Sequence, residues 1–250
     1  MKRAVDLVLS AAAILALCPL FVLIALVVKL TSPGPVFFRQ ERVGRFGRPF
    51  RICKFRTMVE GAQRRGGAIT VGGDPRVTPV GRLLRRTKLD ELPQLVNVVA
   101  GEMSLVGPRP EVPQYVELFW REFEPVLRVR PGITHRASVL YRDEETVLAA
   151  AADPERCYRE EVLPRKLRLY TQDLDRESML DDARVICQTI LTVAAGATVP
   201  SASARTRDLA AADLGPLDLG PLDLGPRDDA PLDLEAEARE PALATGTDLR

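Results

Sequence analysis

The longest apolar stretch comes first. Leu7 to Val28, LVLSAAAILALCPLFVLIALVV, runs 22 residues without a charge. As a helix rising about 1.5 Å per residue it reaches about 33 Å, enough to cross a bilayer's hydrocarbon core. The run is long for a secretory leader, and no small-residue cleavage site follows cleanly. Pro19, directly after Cys18, removes a helical hydrogen bond and predicts a bend mid-run. TSPGP (31–35) is a sharp turn, after which the pattern changes. VFFRQERVGRFGRPFRICKF predicts two strands, about 36–42 and 49–55, around a Gly44–Gly47 loop. Residues 60–75, EGAQRRGGAITVGGDP, are polar and glycine-rich and predict a loop; they match neither GxxxxGK[ST] nor GxGxxG. VGRLLRRTKLDELPQLVNVVAG predicts one or two short helices ending at Gly101.

Further on, EVPQYVELFWREFEPVL predicts an amphipathic helix begun by Pro113, with Tyr115, Leu118 and Phe119 on its core face. Asp153-Pro154 has the form of an N-cap and first helical residue, opening a helix to about Leu163. Another helix covers about 165–175. Ser178 caps the last, through about Ala195, with Asp181 at N3. Its apolar face of Val185, Ile186, Thr189, Ile190 and Val193 suits the body or a membrane interface. From about 198 a five-residue repeat of acid, Leu, Gly and Pro takes over, and it predicts disorder, with a docking tail as the functional alternative. The expected architecture is α+β. It has a membrane helix (1–30), a body with a basic hairpin and mostly helical catalytic part (31–197), and an acidic tail (198–250).

Charge sharpens this picture. The formal net charge is +1, but residues 201–250 hold eleven acids and five Arg, which leaves +7 on the rest. A basic body suggests an anionic partner: lipid headgroups, a nucleotide or a nucleic acid. Lys2 and Arg3 flank one end of the apolar run, Lys29 and the Arg39–Arg56 series the other. Positive residues favour the cytoplasmic side, so both ends are drawn to the same face. A re-entrant helix satisfies that; an ordinary kinked spanning helix places the short N-terminus outside. Both readings stand on sequence alone. The four cysteines form no CxxC pair, which argues against a zinc site or disulfide framework and fits a reducing compartment. His135 is the only histidine, so a multi-His metal site is excluded.

One detail resists the basic pattern. Residues 39–88 hold fourteen Lys or Arg against three acids, and then LDELPQ sets Asp90 beside Glu91. Acids in a helix's first turn, with Thr87 as N-cap, explain this by local physics. The alternative is chemistry. Helical neighbours project about 100° apart and do not face each other, so the pair is poorly built to share a proton. It suits two jobs: one carboxylate as nucleophile, the other holding a hard cation such as Mg²⁺. Positive charge must surround such an attack on a phosphate, and Lys54, Arg56, Arg82, Arg85, Arg86 and Arg109 are candidates.

In order along the chain stand SPGPVFFRQERVG, KFRTM, DPRVTPVGRLLRRTKLDELPQLVNVVAGEMSLVGPRPE and RPGIT. Over about residues 3–195 the sequence resembles the bacterial sugar transferases, the monotopic phosphoglycosyl transferases. The resemblance implies an enzyme that moves a sugar 1-phosphate from a UDP-sugar to polyprenyl (undecaprenyl) phosphate at the bacterial inner membrane, with its catalytic domain on the cytoplasmic face. It implies Asp90 as nucleophile, a phosphosugar-aspartyl intermediate with UMP leaving, and Glu91 as Mg²⁺ ligand. Lys54 and Arg85 match basic residues near the phosphates, Arg109 lies in the family's Pro-Arg-Pro motif, and Asp182 matches a further site Asp. The family's membrane helix is re-entrant and broken at Ser-Pro, which here is Cys18-Pro19. Cys is a weak hydrogen-bonding partner, so a bend fixed by Ser is less secured here. After RPGIT many members continue Gly-Trp-Ala-Gln-Val-Asn-Gly-Arg; this chain reads HRASVLYRDEE, a segment that bears on the donor. His135 is expected in a pocket or on the surface, without a catalytic role. The expected form is minimal, with no accessory domain before the core, membrane lipid as a partner, no nucleic acid, and a homodimer left open. The competing function is a non-catalytic, membrane-anchored module binding lipid or another polyanion.

Overall fold

In the computed structural model, residues 1–62, 67, 69–174 and 178–194 are described. The acidic repeat tail lies outside them, as do five positions of the 60–75 loop. The described fold is helix-rich with two small sheets.

Lys2–Thr31 form one helix, α1, which continues through Cys18 and Pro19 without interruption. The expected break is therefore not a gap in the helix. It is the one described helix long and apolar enough to cross a membrane. Most of it is bare: Leu15 is 77% and Leu30 75% exposed. Its buried residues, Asp6, Ser10, Ile24 and Val28, fall toward the two ends. Near the N-terminus Arg3 donates to the carbonyls of Val98 (2.5 Å) and Val99 (3.0 Å). Asp6 accepts from Ser104 Oγ at 2.7 Å and from the Leu105 amide at 3.3 Å. At the other end Ile24 and Val28 pack with Phe55 and Leu84. Arg56 locks that end by donating to Ser32 O (2.7 Å) and Ser32 Oγ (2.8 Å). Both ends thus rest on the same body.

β1 (Phe37–Val43) and β2 (Pro49–Phe55) form the expected antiparallel hairpin, in register from Phe37 opposite Phe55 to Val43 opposite Pro49. Gly47 at its tip takes φ +72°, which suits glycine. α2 (Pro79–Arg86), a 3₁₀ turn at Leu89–Glu91 and α3 (Gln94–Ala100) follow, and α3 ends at Gly101 as the sequence indicates. β3 (Ser104–Val106) pairs in parallel with β4 (Gly132–Thr134). Here the backbones nearly touch: a Cβ on Gly132 would lie 2.1 Å from the Gly107 amide nitrogen.

The predicted helix from Pro113 is two helices, α4 (Pro113–Leu118) and α5 (Trp120–Val126), divided at Phe119 with φ −117° and ψ 40°. With the division there, Tyr115, Val116, Phe119 and Phe123 are all buried in the main core. Packing overrides the propensity for one continuous helix. α6 (Arg136–Leu140) and α7 (Glu144–Ala149) lead to α8 (Pro154–Cys157). Asp153 caps α8 as expected, accepting from the Arg156 amide at 3.0 Å. The two helices predicted for 154–175 are instead joined by a π turn, Tyr158–Val162, into α9 (Leu163–Leu174). Pro164 lacks the N–H an α-helix would use there, and the π turn before it absorbs the mismatch. α10 (Met179–Ala194) closes the described chain, with Ser178 Oγ accepting from the Leu180 amide at 3.2 Å.

Candidate active site

The site grows from a tight junction between β2 and α2. Thr78 caps α2, its hydroxyl accepting from the Gly81 amide at 2.9 Å. Gly81 lies so close to Thr57 that a Cβ would sit 2.0 Å from the Thr57 carbonyl oxygen. This fixes the helix carrying Arg85 against the strand carrying Lys54. The helix ends at Thr87, which is a C-cap and not the predicted N-cap: its backbone is still right-handed, and its hydroxyl donates back to Leu83 O at 2.8 Å. Lys88 then turns the chain in the left-handed region at φ +55°. Such a conformation is unfavourable for a residue with a Cβ. It delivers Asp90 and Glu91 on a short 3₁₀ turn, not in the first turn of a longer helix.

Both acids are buried, at 6% and 9% exposure. Glu91 is clamped. Its Oε1 accepts from Lys54 Nζ at 2.9 Å and from Arg109 Nη2 at 2.5 Å, and its Oε2 from Arg109 Nη1 at 3.1 Å. Arg109 is presented by the Pro108–Pro110 turn that leaves β3. Asp90 is different: its Oδ1 is buried with no hydrogen-bond partner among the described residues. Arg85 donates through Nε to Thr57 Oγ1 and through Nη1 to Glu145 Oε1, both at 2.9 Å. Lys54, Arg85, Asp90, Glu91 and Arg109 share one open cleft of about 1950 Å³.

Electrostatics separate the two acids. Burial pushes the Asp90 carboxyl up to about 6, Glu91's charge adds to this, and Lys54, Lys88 and Arg85 oppose it. For Glu91 burial also acts upward, but Arg109 and Lys54 outweigh it and hold the group well below the ordinary carboxylate range. Lys54 is itself lowered, chiefly by burial, with Arg109's repulsion adding to it against Glu91's attraction. One carboxylate is neutralised by fixed cations, and the other is poorly solvated with a buried, unpartnered oxygen. Their environments differ as a nucleophile and a charge-holding residue require.

A divalent cation fits this donor set in part. Among the described residues no group of three His, Cys, Asp or Glu is assembled to bind a metal. Two adjacent carboxylates, one with an orphaned buried oxygen, suit Mg²⁺ that takes its other ligands from phosphates and water.

Two residues lie elsewhere than the sequence led us to expect. Asp182 does not line the cleft; it pairs with Lys2 at 2.9 Å and ties α10 to the start of α1. His135 is neither a pocket nor a surface residue. It is 6% exposed, caps α6 by accepting from the Ala137 amide at 3.1 Å, and meets the Tyr170 ring edge-on. Other cleft residues carried no mark in the sequence reading. Glu145 and Thr57 hold Arg85. Lys166, 5% exposed, pairs with Glu144 at 2.7 Å. Its signal was its helical face: Lys166 lies three residues after Leu163 and four before Tyr170, both buried.

Comparison with known proteins places this arrangement. The family model described as bacterial sugar transferase matches residues 1–196. A UDP-N-acetylgalactosamine-undecaprenyl-phosphate N-acetylgalactosaminephosphotransferase from Aeromonas hydrophila is 45% identical over 143 residues, 56% of this chain and 34% of that protein. A UDP-glucose:undecaprenyl-phosphate glucose-1-phosphate transferase from Escherichia coli is 46% identical over 142 residues, 56% of this chain and 31% of that protein. The exopolysaccharide production protein ExoY of Sinorhizobium fredii is 42% identical over 148 residues, covering 53% of this chain and 66% of its own length. This chain therefore spans about a third of the first two relatives. The family match runs from α1 to the end of α10, cleft included, and on it the chain belongs to the bacterial sugar transferases.

Proposed function

We propose that this chain transfers a sugar 1-phosphate from a UDP-sugar to undecaprenyl phosphate, at the cytoplasmic face of a bacterial membrane, as a step that begins a surface glycan such as an exopolysaccharide. The observation that carries this is the Asp90 carboxylate: buried, unpartnered at Oδ1, under the positive field of Lys54, Lys88 and Arg85, and in one cleft with Arg109.

In this reading an Asp90 oxygen attacks the sugar-bearing phosphorus. An aspartyl O–P bond forms, the P–O bond to the nucleotide breaks, and UMP leaves with that electron pair. An oxygen of the lipid phosphate then attacks the same phosphorus and frees Asp90. Lys54, Arg85 and Arg109 offset the phosphate charges, which lowers the cost of bringing two anions together. Glu91 would hold Mg²⁺ beside Asp90, and the ion would supply further charge neutralisation at the diphosphate. The two anchored ends of α1 support a seat in one leaflet, with both ends on the side of the body. The relatives named for undecaprenyl phosphate and UDP-sugars support the substrate classes.

Asp90→Asn tests the assignment. Turnover should fall by at least about 10³-fold, as on removal of other nucleophiles. Stability should move the opposite way. The folded pKa lies above the free carboxyl's 3.8, so the ionised group costs stability at pH 7. The Asn variant should be more stable there by on the order of 1–3 kcal/mol, and the gain should fade as pH falls below about 6. An active Asn variant would remove Asp90 from the mechanism. A chain that binds lipid or nucleotide but turns nothing over would be a binding module.

A further inference from the structure

Each cation assigned to a phosphate is held by a carboxylate of the chain itself. Glu91 holds Lys54 and Arg109 in the buried interior. Arg85 is held differently. Its partner Glu145 stands on α7, in the segment where the chain departs from the pattern of its family, and the Glu145 side chain is 50% exposed. The neighbouring Glu144 turns to buried Lys166 instead. Adjacent carboxylates on a helix project in different directions, and here one is committed to the body and the other to the cleft.

We propose that Glu145 is an internal stand-in for a substrate phosphate: it pairs with Arg85 and is exchanged for the donor's diphosphate. This rests on reading Arg85 as a phosphate-binding residue. Three observations support an exchange by the side chain alone. The backbone of α7 is fixed, because the Gly72 amide donates to the Glu145 carbonyl at 2.8 Å and Leu148 is 1% exposed in the core. Arg85 is fixed as well, by its bond to Thr57 Oγ1. The carboxylate between them is half in water, where an ion pair is weak and easily broken. A diphosphate carries more charge and more acceptor oxygens than the carboxylate it displaces, and it cannot share one guanidinium with Glu145 without like-charge repulsion. The latch keeps Arg85 extended toward the cleft, and it costs the donor some affinity.

The test is calorimetric titration of UDP, with Mg²⁺ present, into the full chain in lipid nanodiscs. Wild type, Glu145→Gln, Arg85→Gln and the double variant are compared. Glu145→Gln should bind UDP about two- to five-fold more tightly, the worth of a half-exposed ion pair. On the Arg85→Gln background the same change should have no effect. Unchanged or weaker binding in Glu145→Gln, with Arg85→Gln still impaired, overturns the latch and leaves the role of Arg85 intact. Full UDP affinity in Arg85→Gln overturns that role and the latch with it.

Discussion

Asp90 and Glu91 are neighbours with opposite fates, and the difference is set by what each oxygen meets. Glu91 receives three charge-assisted hydrogen bonds from Lys54 and Arg109; Asp90 Oδ1 receives none among the described residues. The pH dependence should follow. If Asp90 is the nucleophile, it must be ionised to attack, and its carboxyl is raised to about 6. kcat/KM for the donor should therefore fall about tenfold per pH unit below about 6 and level off above it. An alkaline limb should appear below the 10.5 of a free lysine, because burial lowers Lys54. Initial rates from pH 4.5 to 10 measure both limbs, and a flat acid side down to pH 4.5 would contradict the assignment. The acid pair was legible in the sequence. The environment was not. Lys88 in a left-handed turn carries no mark in the sequence, yet it aims both acids. Glu145 was not singled out within HRASVLYRDEE.

At the scale of elements, the β1–β2 hairpin was legible because Gly44 and Gly47 punctuate a basic run rich in strand formers. Gly101 and Asp153-Pro154 announced their helix ends for equally local reasons. The division at Phe119 and the π turn before Pro164 were not legible, since each answers to the tertiary core. The β3–β4 pair was not foreseen either, and it matters for chemistry. Gly107 and Gly132 bring the strands close enough to pin the following turn, where the Gly132 amide donates to Pro108 O at 2.8 Å. Gly132→Ala would drive a Cβ to 2.1 Å from the Gly107 nitrogen. We expect a loss of about 3 kcal/mol in denaturant unfolding, at the upper end for overpacking. Because Arg109 rides on that turn, kcat should also fall in the fraction that remains folded. A variant with unchanged midpoint and kcat would show that the close approach positions nothing.

For the whole molecule, the sequence posed a choice between a spanning and a re-entrant helix. Basic residues at both ends favoured one face; Pro19 favoured a bend. The structure keeps the helix continuous through Pro19 but returns both ends to the body, through Arg3 and Asp6 at one end and Ile24, Val28 and Ser32 at the other. Exposed apolar side chains continue from α1 onto its neighbours, with Leu83 on α2 and Val96 and Val99 on α3. On the proposed function, a basic cleft beside α1 would let a water-soluble nucleotide sugar and a lipid phosphate meet at one carboxylate. If that carboxylate is the nucleophile, the first half-reaction needs no lipid at all. Intact-mass spectrometry of the full chain, incubated with a panel of UDP-sugars and Mg²⁺ but without polyprenyl phosphate, tests this most directly. The predicted result is a mass gain of one sugar phosphate per chain, mapped to Asp90, matched by one UMP released and absent in Asp90→Asn. No adduct, with UMP appearing only when the lipid phosphate is added, would contradict it and point to direct transfer between the two substrates.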